Sequence, residues 1–258
     1  MKRSMKQKPF FSIITPVKNG EKSIKKTLLS LNNQSFKNFE HIIIDGDSKD
    51  KTKNIIKKFK NKRTIFISSK DKGIYDGINK GIKIARGKFI GTLNSGDTYT
   101  SDGLKIVNKY FSKNKLDFIF GSVKKGEIKY GFKPLKIFWS FNFYPAHSSG
   151  FFISRIAQNI IGFYDLKFKC SSDYDLFYKM IVKYKMKGTS TKKDELIGNF
   201  ELGGYSQQIT LIEHIIEETK IRLNNKQNIF IVFLIFILRI IKNFYKLNLI
   251  KYLKKNEK

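Results

Sequence analysis

At 258 residues the chain is long enough for one large domain, or a domain with a sizeable appendage. Its single cysteine, Cys170, excludes an internal disulfide scaffold and reads as a small buried hydrophobe in a reducing compartment. Lys plus Arg outnumber Asp plus Glu by 51 to 21, a formal charge of +30; this favours an anionic partner such as nucleic acid, an acidic lipid surface or a phosphorylated substrate, although lysine is spread along the whole chain as a general compositional bias would spread it.

The opening "MKRSMKQKPF" is basic but leads only into a short apolar strand, with no long apolar region or small-residue cleavage site, so residues 1–9 are expected to be a basic extension rather than a signal peptide. From Phe10 to about Phe120, short apolar runs alternate with longer amphipathic stretches. That alternation predicts an α/β fold with a mostly parallel central sheet flanked by crossover helices. The strands are "FFSIIT", "EHIIID", "RTIFIS", "KFIGTL" and "LDFIFG". Between them "EKSIKKTLLSLNNQ", "KDKTKNIIKKFK", "GIYDGINKGIKIARG" and "SDGLKIVNKYF" carry helical spacing. Gly20, Gly73, Gly87 and Gly121 lie near the junctions, where positive φ is cheap for glycine.

After Phe120 the alternation weakens, and residues 122–154 read as an irregular or hairpin region rich in aromatic and basic side chains. Helical spacing returns at "SSDYDLFYKMIVKYK" and at "ITLIEHIIEETKIRLNN". The last segment, 225–258, is a basic and apolar tail with an unbroken apolar run from Ile229 to Leu238. A membrane-spanning helix needs about 20 apolar residues, so this run is expected to lie in an interface or dock onto a partner. Its lysines suit an anionic membrane surface.

In an open α/β sheet, ligands bind beyond the carboxyl ends of the strands. Here those ends read Thr15-Pro16-Val17, Asp45-Gly46-Asp47, Ser69-Lys70-Asp71-Lys72-Gly73 and Asn94-Ser95-Gly96-Asp97. Loop aspartates also serve turns and helix caps, the reading given to Asp50 and Asp102. Carboxylates gathered on one edge beside Lys72 suit a divalent metal with a phosphorylated ligand, because Mg²⁺ or Mn²⁺ takes oxygen ligands and leaves positions open for phosphates. No glycine-rich phosphate cradle follows the first strand, which argues against nicotinamide and P-loop enzymes. His41, His147 and His214 are too scattered for a zinc motif. His41 and His214 read as structural, whereas His147, in the loop "YPAHSSGFF", is a candidate ligand. In "KCSSDYDLFYKM", Ser171 or Ser172 can cap a helix with Asp173 and Asp175 in its first turn, or one of the two aspartates can serve as a general base.

These segments, in this order, resemble the family 2 glycosyltransferases of the GT-A fold, especially bacterial enzymes that build surface polysaccharides. The likeness runs from about Phe11 to Met180 through "FSIITPVKNG", "FEHIIIDGDSKDKT", "SSKDKGIYDGINKGIKIARGKFIGTLNSGD", "HSSGFFISR" and "IGFYDLKFKCSSDYDLFYKM". It implies that residues 10–121 form a nucleotide-sugar-binding half and residues 122–224 an acceptor-side half. Thr15, Pro16, Asp45 and Asp71 would surround the nucleoside, with Lys72, Gly73 and Gly96 on the donor side. Asp97 would hold a divalent metal, Mn²⁺ or Mg²⁺, with His147 as a further ligand. Asp173, or alternatively Asp175, would take the proton from the acceptor hydroxyl in one inverting displacement.

The implied partners are a nucleotide-sugar donor, a glycan or lipid-linked acceptor and an anionic membrane. The implied location is peripheral, at the cytoplasmic face. Nucleic acid is not expected, and no motif speaks to oligomeric state. Two positions depart from the family pattern: Asp47 stands where relatives often carry a small residue, and Gly96 where they carry the ribose-facing acid of the metal motif.

The alternative reading is a non-catalytic basic protein that binds nucleic acid or anionic polysaccharide on a degraded frame. Tyr130, Phe132, Phe138, Trp139, Phe141 and Phe143, interleaved with lysine, would be its stacking surface.

Overall fold

The computed structural model describes residues 8–139, 148–201 and 210–256. Its first half alternates strand and helix: β1 Phe11–Val17, α1 Ile24–Asn32, β2 Phe39–Asp45, α2 Thr52–Phe59, β3 Thr64–Ser68, α3 Ile74–Ile84, β4 Phe89–Thr92, β5 Thr98–Tyr99 and α4 Gly103–Lys113. The strands β6 Phe118–Phe120, β7 Ser122–Lys125, β8 Glu127–Lys129 and β9 Phe151–Ser154 follow, then α5 Arg155–Ile161 and α6 Ser172–Tyr178. The chain continues through β10 Gly188–Ser190, β11 Leu196–Asn199, α7 Leu211–Asn224 and α8 Ile229–Asn256.

The seven-stranded central sheet has the order β10-β6-β9-β4-β1-β2-β3. β1 pairs parallel with β2 and β4, and β2 with β3, so these four strands end on one edge. β9 alone runs antiparallel, wedged between β4 and β6. It is only four residues long, too short for its alternation to announce it in the sequence.

Every residue of β1 and β2 is buried, as a sheet covered on both faces requires. Ile14, Ile42, Ile44 and Ile90 pack with Ile78 of α3 and with Tyr174 and Phe177 of α6 on one face. On the other, Phe11, Ile13 and Phe89 meet Leu31 of α1 and Leu104, Val107 and Phe111 of α4. Of the four junction glycines, only Gly73 takes a positive φ, +118°. Gly87 and Gly121 serve close approach instead: a Cβ at either would overlap, respectively, the backbone of Ser12 and the side chain of Ile197.

A smaller four-stranded sheet, β5-β11-β7-β8, stands beside this frame. The expected hairpin after Phe120 is the β7/β8 pair, turning at Gly126. α6 ends in a widened turn in which Tyr184 N–H donates to Lys179 C=O. α7 opens on a capping box between Thr210 and Glu213.

α8 packs on α7 through Val232 and Ile235, and Arg239 pairs with Glu218, which is buried. The rest of its apolar surface, including Phe230, Phe233, Leu238 and Ile241, is exposed. Among the described residues no helix is long and apolar enough to cross a membrane. Of the aromatic stretch, Phe132 and Phe138 pack against the core and Tyr130 and Trp139 are exposed, while Phe141 and Phe143 lie outside the described residues.

Candidate active site

Side chains at the carboxyl edge divide between those locked beneath it and those that face outward. Thr15 is buried, and its Oγ1 shares a 2.9 Å hydrogen bond with His41 Nε2. Burial lowers the His41 pKa to about 3, so this imidazole stays neutral and structural. With its hydroxyl engaged, Thr15 offers the edge its backbone. Asp45 is also buried, and its carboxylate accepts from Ser48 N–H, Ser48 Oγ and, at 2.6 Å, Ser68 Oγ. Asp47 takes φ +60° and turns away to pair with Lys49 and Lys53. The hydrogen bonds from Lys49 and then Lys53 lower its pKa to about 2. Asp50, one residue before the N-cap of α2, accepts from Thr52 N–H at 3.0 Å, the turn role expected of a loop aspartate.

Asp71 rises from the loop after β3 and covers Gly46, where a Cβ would overlap its carboxylate. It also accepts from Gly73 N–H at 3.2 Å, shaping the entry to α3. One turn into α3, Gly77 carries no side chain, and a Cβ there would lie 3.2 Å from Pro16. Pro16, Gly46, Asp71 and Gly77 therefore meet in one low patch between the second and third strand ends. The Lys72 side chain is exposed, and its N–H donates to Asp76.

At the fourth strand end, Thr27 of α1 clamps the chain: its Oγ1 accepts from Gly96 N–H at 2.9 Å and donates to Asp97 C=O at 2.8 Å. Asp97 is 3% exposed. Its Oδ1 accepts from Glu201 N–H at 3.0 Å, whereas Oδ2 has no hydrogen-bond partner. Burial raises its pKa to about 7, and the Glu201 charge adds to the rise while Lys26 and Lys125 oppose it. A buried carboxylate with an open oxygen fits a divalent cation as one ligand. Among the described residues, no three His, Cys, Asp or Glu side chains are grouped to hold a metal by themselves. A cation at Asp97 would therefore need substrate or water among its ligands.

The helix α6 brings Asp173 within reach of Tyr75 in α3. Tyr75, in the first turn of α3, donates to Asp173 Oδ1 at 3.4 Å and stacks on Tyr164 with ring centroids 5.4 Å apart. Asn79 fixes Tyr164 by donating to its C=O at 2.8 Å and accepting from its N–H at 2.9 Å. Asp175 faces the other way: it is buried, paired with Lys179 at 2.5 Å and held by Asn225 Nδ2 at 3.1 Å.

The expected serine cap is absent, since neither Ser171 nor Ser172 makes a side-chain cap bond. Glu217 of α7 instead holds the loop that leads into α6, accepting from the N–H groups of Lys169, Cys170 and Ser171 at 2.7, 3.1 and 3.0 Å. Burial alone would raise Glu217, but these bonds and the one from the Cys170 thiol outweigh it and hold its pKa below the usual range. His147 lies outside the described residues.

The structure thus brings Pro16, Asp71, Gly73, Asp97 and Asp173 to one edge, with Asp45 and Thr15 supporting it from beneath. Sequence reasoning did not pick out Tyr75, Thr27, Glu201 or Glu217. Tyr75 alone had a signal, one turn after the conspicuous Asp71-Lys72-Gly73 loop. A separate depression of about 460 Å³ lined by Pro9, Asn38, Arg86, Lys88 and Arg155 lies at the opposite, N-terminal edge of the sheet.

Residues 12–172 match the family described as Glycosyl transferase family 2. An uncharacterized glycosyltransferase of Methanocaldococcus jannaschii is 32% identical over 67% of this chain and 65% of its own length. The UDP-Glc:alpha-D-GlcNAc-diphosphoundecaprenol beta-1,3-glucosyltransferase WfgD of Escherichia coli is 30% identical over 43% of this chain and 44% of its own. The chain therefore spans less than two thirds of the length of either relative. S. aureus TarS in complex with UDP-GlcNAc superposes with a TM-score of 0.68 at 19% identity, covering 90% of this chain and 72% of that one, a likeness of GT-A fold.

Two expectations follow. Glu217→Ala leaves N–H groups at the entry to α6 unpaired and should cost about 1–3 kcal/mol, read as a lower urea midpoint with an unchanged slope. Asp97 titrates near 4 when unfolded and at about 7 when folded, so the folded state holds its proton more tightly across that window. In EDTA, stability should therefore fall as pH rises from about 4 through about 7, and Asp97→Asn should flatten that fall in thermal melts.

Proposed function

The chain belongs to Glycosyl transferase family 2, and from that premise we propose that it is an inverting, metal-assisted enzyme. It moves a sugar from a nucleotide-sugar donor to a hydroxyl of a glycan or lipid-linked acceptor in cell-surface polysaccharide synthesis. One observation carries this reading: Tyr75 connects Asp173 to the turn that follows Asp71 and Gly73, so the base candidate and the donor-side loops share one cleft edge. The UDP-GlcNAc bound to TarS supports a nucleotide-sugar donor. The diphosphoundecaprenol in the name of WfgD supports a lipid-linked acceptor.

In this mechanism the nucleoside lies at the strand ends beside Asp71, over the close packing of Pro16, Gly46 and Gly77. Asp173 accepts the acceptor hydroxyl's proton while that oxygen attacks the anomeric carbon. The bond from that carbon to the diphosphate oxygen breaks, and the nucleotide leaves with the bonding electrons. One displacement inverts the configuration, with no covalent sugar-enzyme intermediate. A bound Mn²⁺ or Mg²⁺, held by Asp97, supplies Lewis-acid neutralisation of the departing diphosphate. Tyr75, and Glu217 through the loop before α6, keep the Asp173 carboxylate in place.

The exposed apolar residues of α8 beside the exposed Lys242 support association with an anionic membrane surface, which we place at the cytoplasmic face. There a lipid-linked acceptor would meet the enzyme in two dimensions.

The purified chain, given Mn²⁺ or Mg²⁺ and a panel of nucleotide sugars, should release nucleotide from at least one donor. Asp173→Asn should lower turnover by about 10²–10⁴-fold while leaving nucleotide binding intact. Wild-type protein that neither turns over nor is stabilised by any donor in thermal shift would end the transfer reading and favour the non-catalytic alternative. The protein should also sediment with vesicles containing anionic lipid, less so in high salt, and Phe230→Ser with Phe233→Ser should weaken this. Equal recovery of wild type and variant would remove α8 from the membrane.

A further inference from the structure

Position 96 has no side chain, yet the place such a side chain would take is filled by a carboxylate. A Cβ built on Gly96 would lie 2.5 Å from Glu201 Oε2, and the Gly96 φ of +105° suits glycine. The strand pairing explains why. β11 runs antiparallel to β5 with Gly198 opposite Tyr99 and Asn199 opposite Thr98. Carried two residues further, that register sets Glu201 across from Gly96. Glu201 N–H donates to Asp97 Oδ1 at 3.0 Å, which fastens the end of β11 to the fourth strand's loop.

The polar atoms around this junction are incompletely matched. Asp97 is 3% exposed and, among the described residues, its Oδ2 has no hydrogen-bond partner, nor has the hydroxyl of Tyr99, which is buried two residues on. Lys26 of α1 pairs with Glu201 through Oε2, and Oε1 takes no hydrogen bond or ion pair among the described residues. Native proteins rarely keep a buried carboxylate oxygen unpaired unless a ligand supplies what is missing. Two carboxylates from different elements, with open oxygens, form a donor set for a hard divalent cation.

We propose that Glu201 is the second carboxylate of the cation site, so that Mn²⁺ or Mg²⁺ is held by Asp97 and Glu201 together. The inference rests on the reading of Asp97 as a metal ligand. The remaining coordination positions go to water or to diphosphate oxygens, with Lys26 beside them. Glycine at 96 is then required by the carboxylate that arrives from β11.

Mn²⁺ binding to the full chain, followed by the loss of the free-ion electron paramagnetic resonance signal with and without UDP or GDP, tests this. Glu201→Gln should weaken Mn²⁺ binding by at least about tenfold, with the melting temperature in EDTA unchanged. Glu201→Asp, which keeps the charge on a shorter arm, should fall between the two and covers the case in which the glutamine variant does not fold. Asp97→Asn should abolish binding. If Glu201→Gln binds Mn²⁺ as wild type does while Asp97→Asn does not, the proposal is overturned and the role of Asp97 stands. If wild type takes up no Mn²⁺ in any condition, the proposal is overturned too, and failure of UDP and GDP to bind as well would bring down the transfer reading with it.

Discussion

The parallel pairing of β1 with β2 and β4, and of β2 with β3, is the constraint from which the rest follows. Strands covered on both faces carry polar side chains only where these pair, as Thr15 does with His41 and Ser12 with Glu40, so other polar groups collect where the strands end. Because the four strands point the same way, their loops open on one edge. Asp45, Asp71 and Asp97 are neighbours in space for that reason, although 26 residues separate each from the next. The antiparallel β9 extends the sheet without disturbing this edge, since its own C-terminal end lies at the opposite side.

Carboxylates crowded on one edge repel one another unless each is assigned a partner, and the structure assigns them differently. Asp45 is given hydroxyl and amide donors and serves as a buried brace for the loop above it. Asp47 is turned out to two lysines. Asp175 is buried against Lys179 and Asn225. Asp97 differs from these, being buried with one oxygen unmatched. In a fold that satisfies its other edge aspartates so fully, that exception marks where ligand chemistry belongs.

The second half of the chain acts by reaching back. α6 delivers Asp173 to Tyr75, α7 reaches over with Glu217 to hold the loop before α6, and β11 delivers Glu201 to the loop of Asp97. Arg239 of α8 in turn neutralises Glu218 of α7, so the C-terminal helix is fastened to the element that holds the loop before α6.

The sequence by itself determined the alternating frame. The apolar runs "FFSIIT", "EHIIID", "RTIFIS", "KFIGTL" and "LDFIFG" lie on β1, β2, β3, β4 and β6, because a doubly covered strand must be apolar throughout and a covering helix must show one apolar face. It also determined which loops carry carboxylates, since strand ends follow directly from strands. What it could not reveal was partnership between residues far apart in the chain. Nothing in "SSDYDL" tells that Glu217 holds the loop before it, and nothing in "LNSGD" tells that Glu201, 104 residues after Asp97, fills the space above Gly96. Such contacts depend on the register of β11 against β5 and on the packing of α7, which local composition does not encode. Only the tertiary structure could decide them, because the partner of a buried charge is chosen by proximity in space.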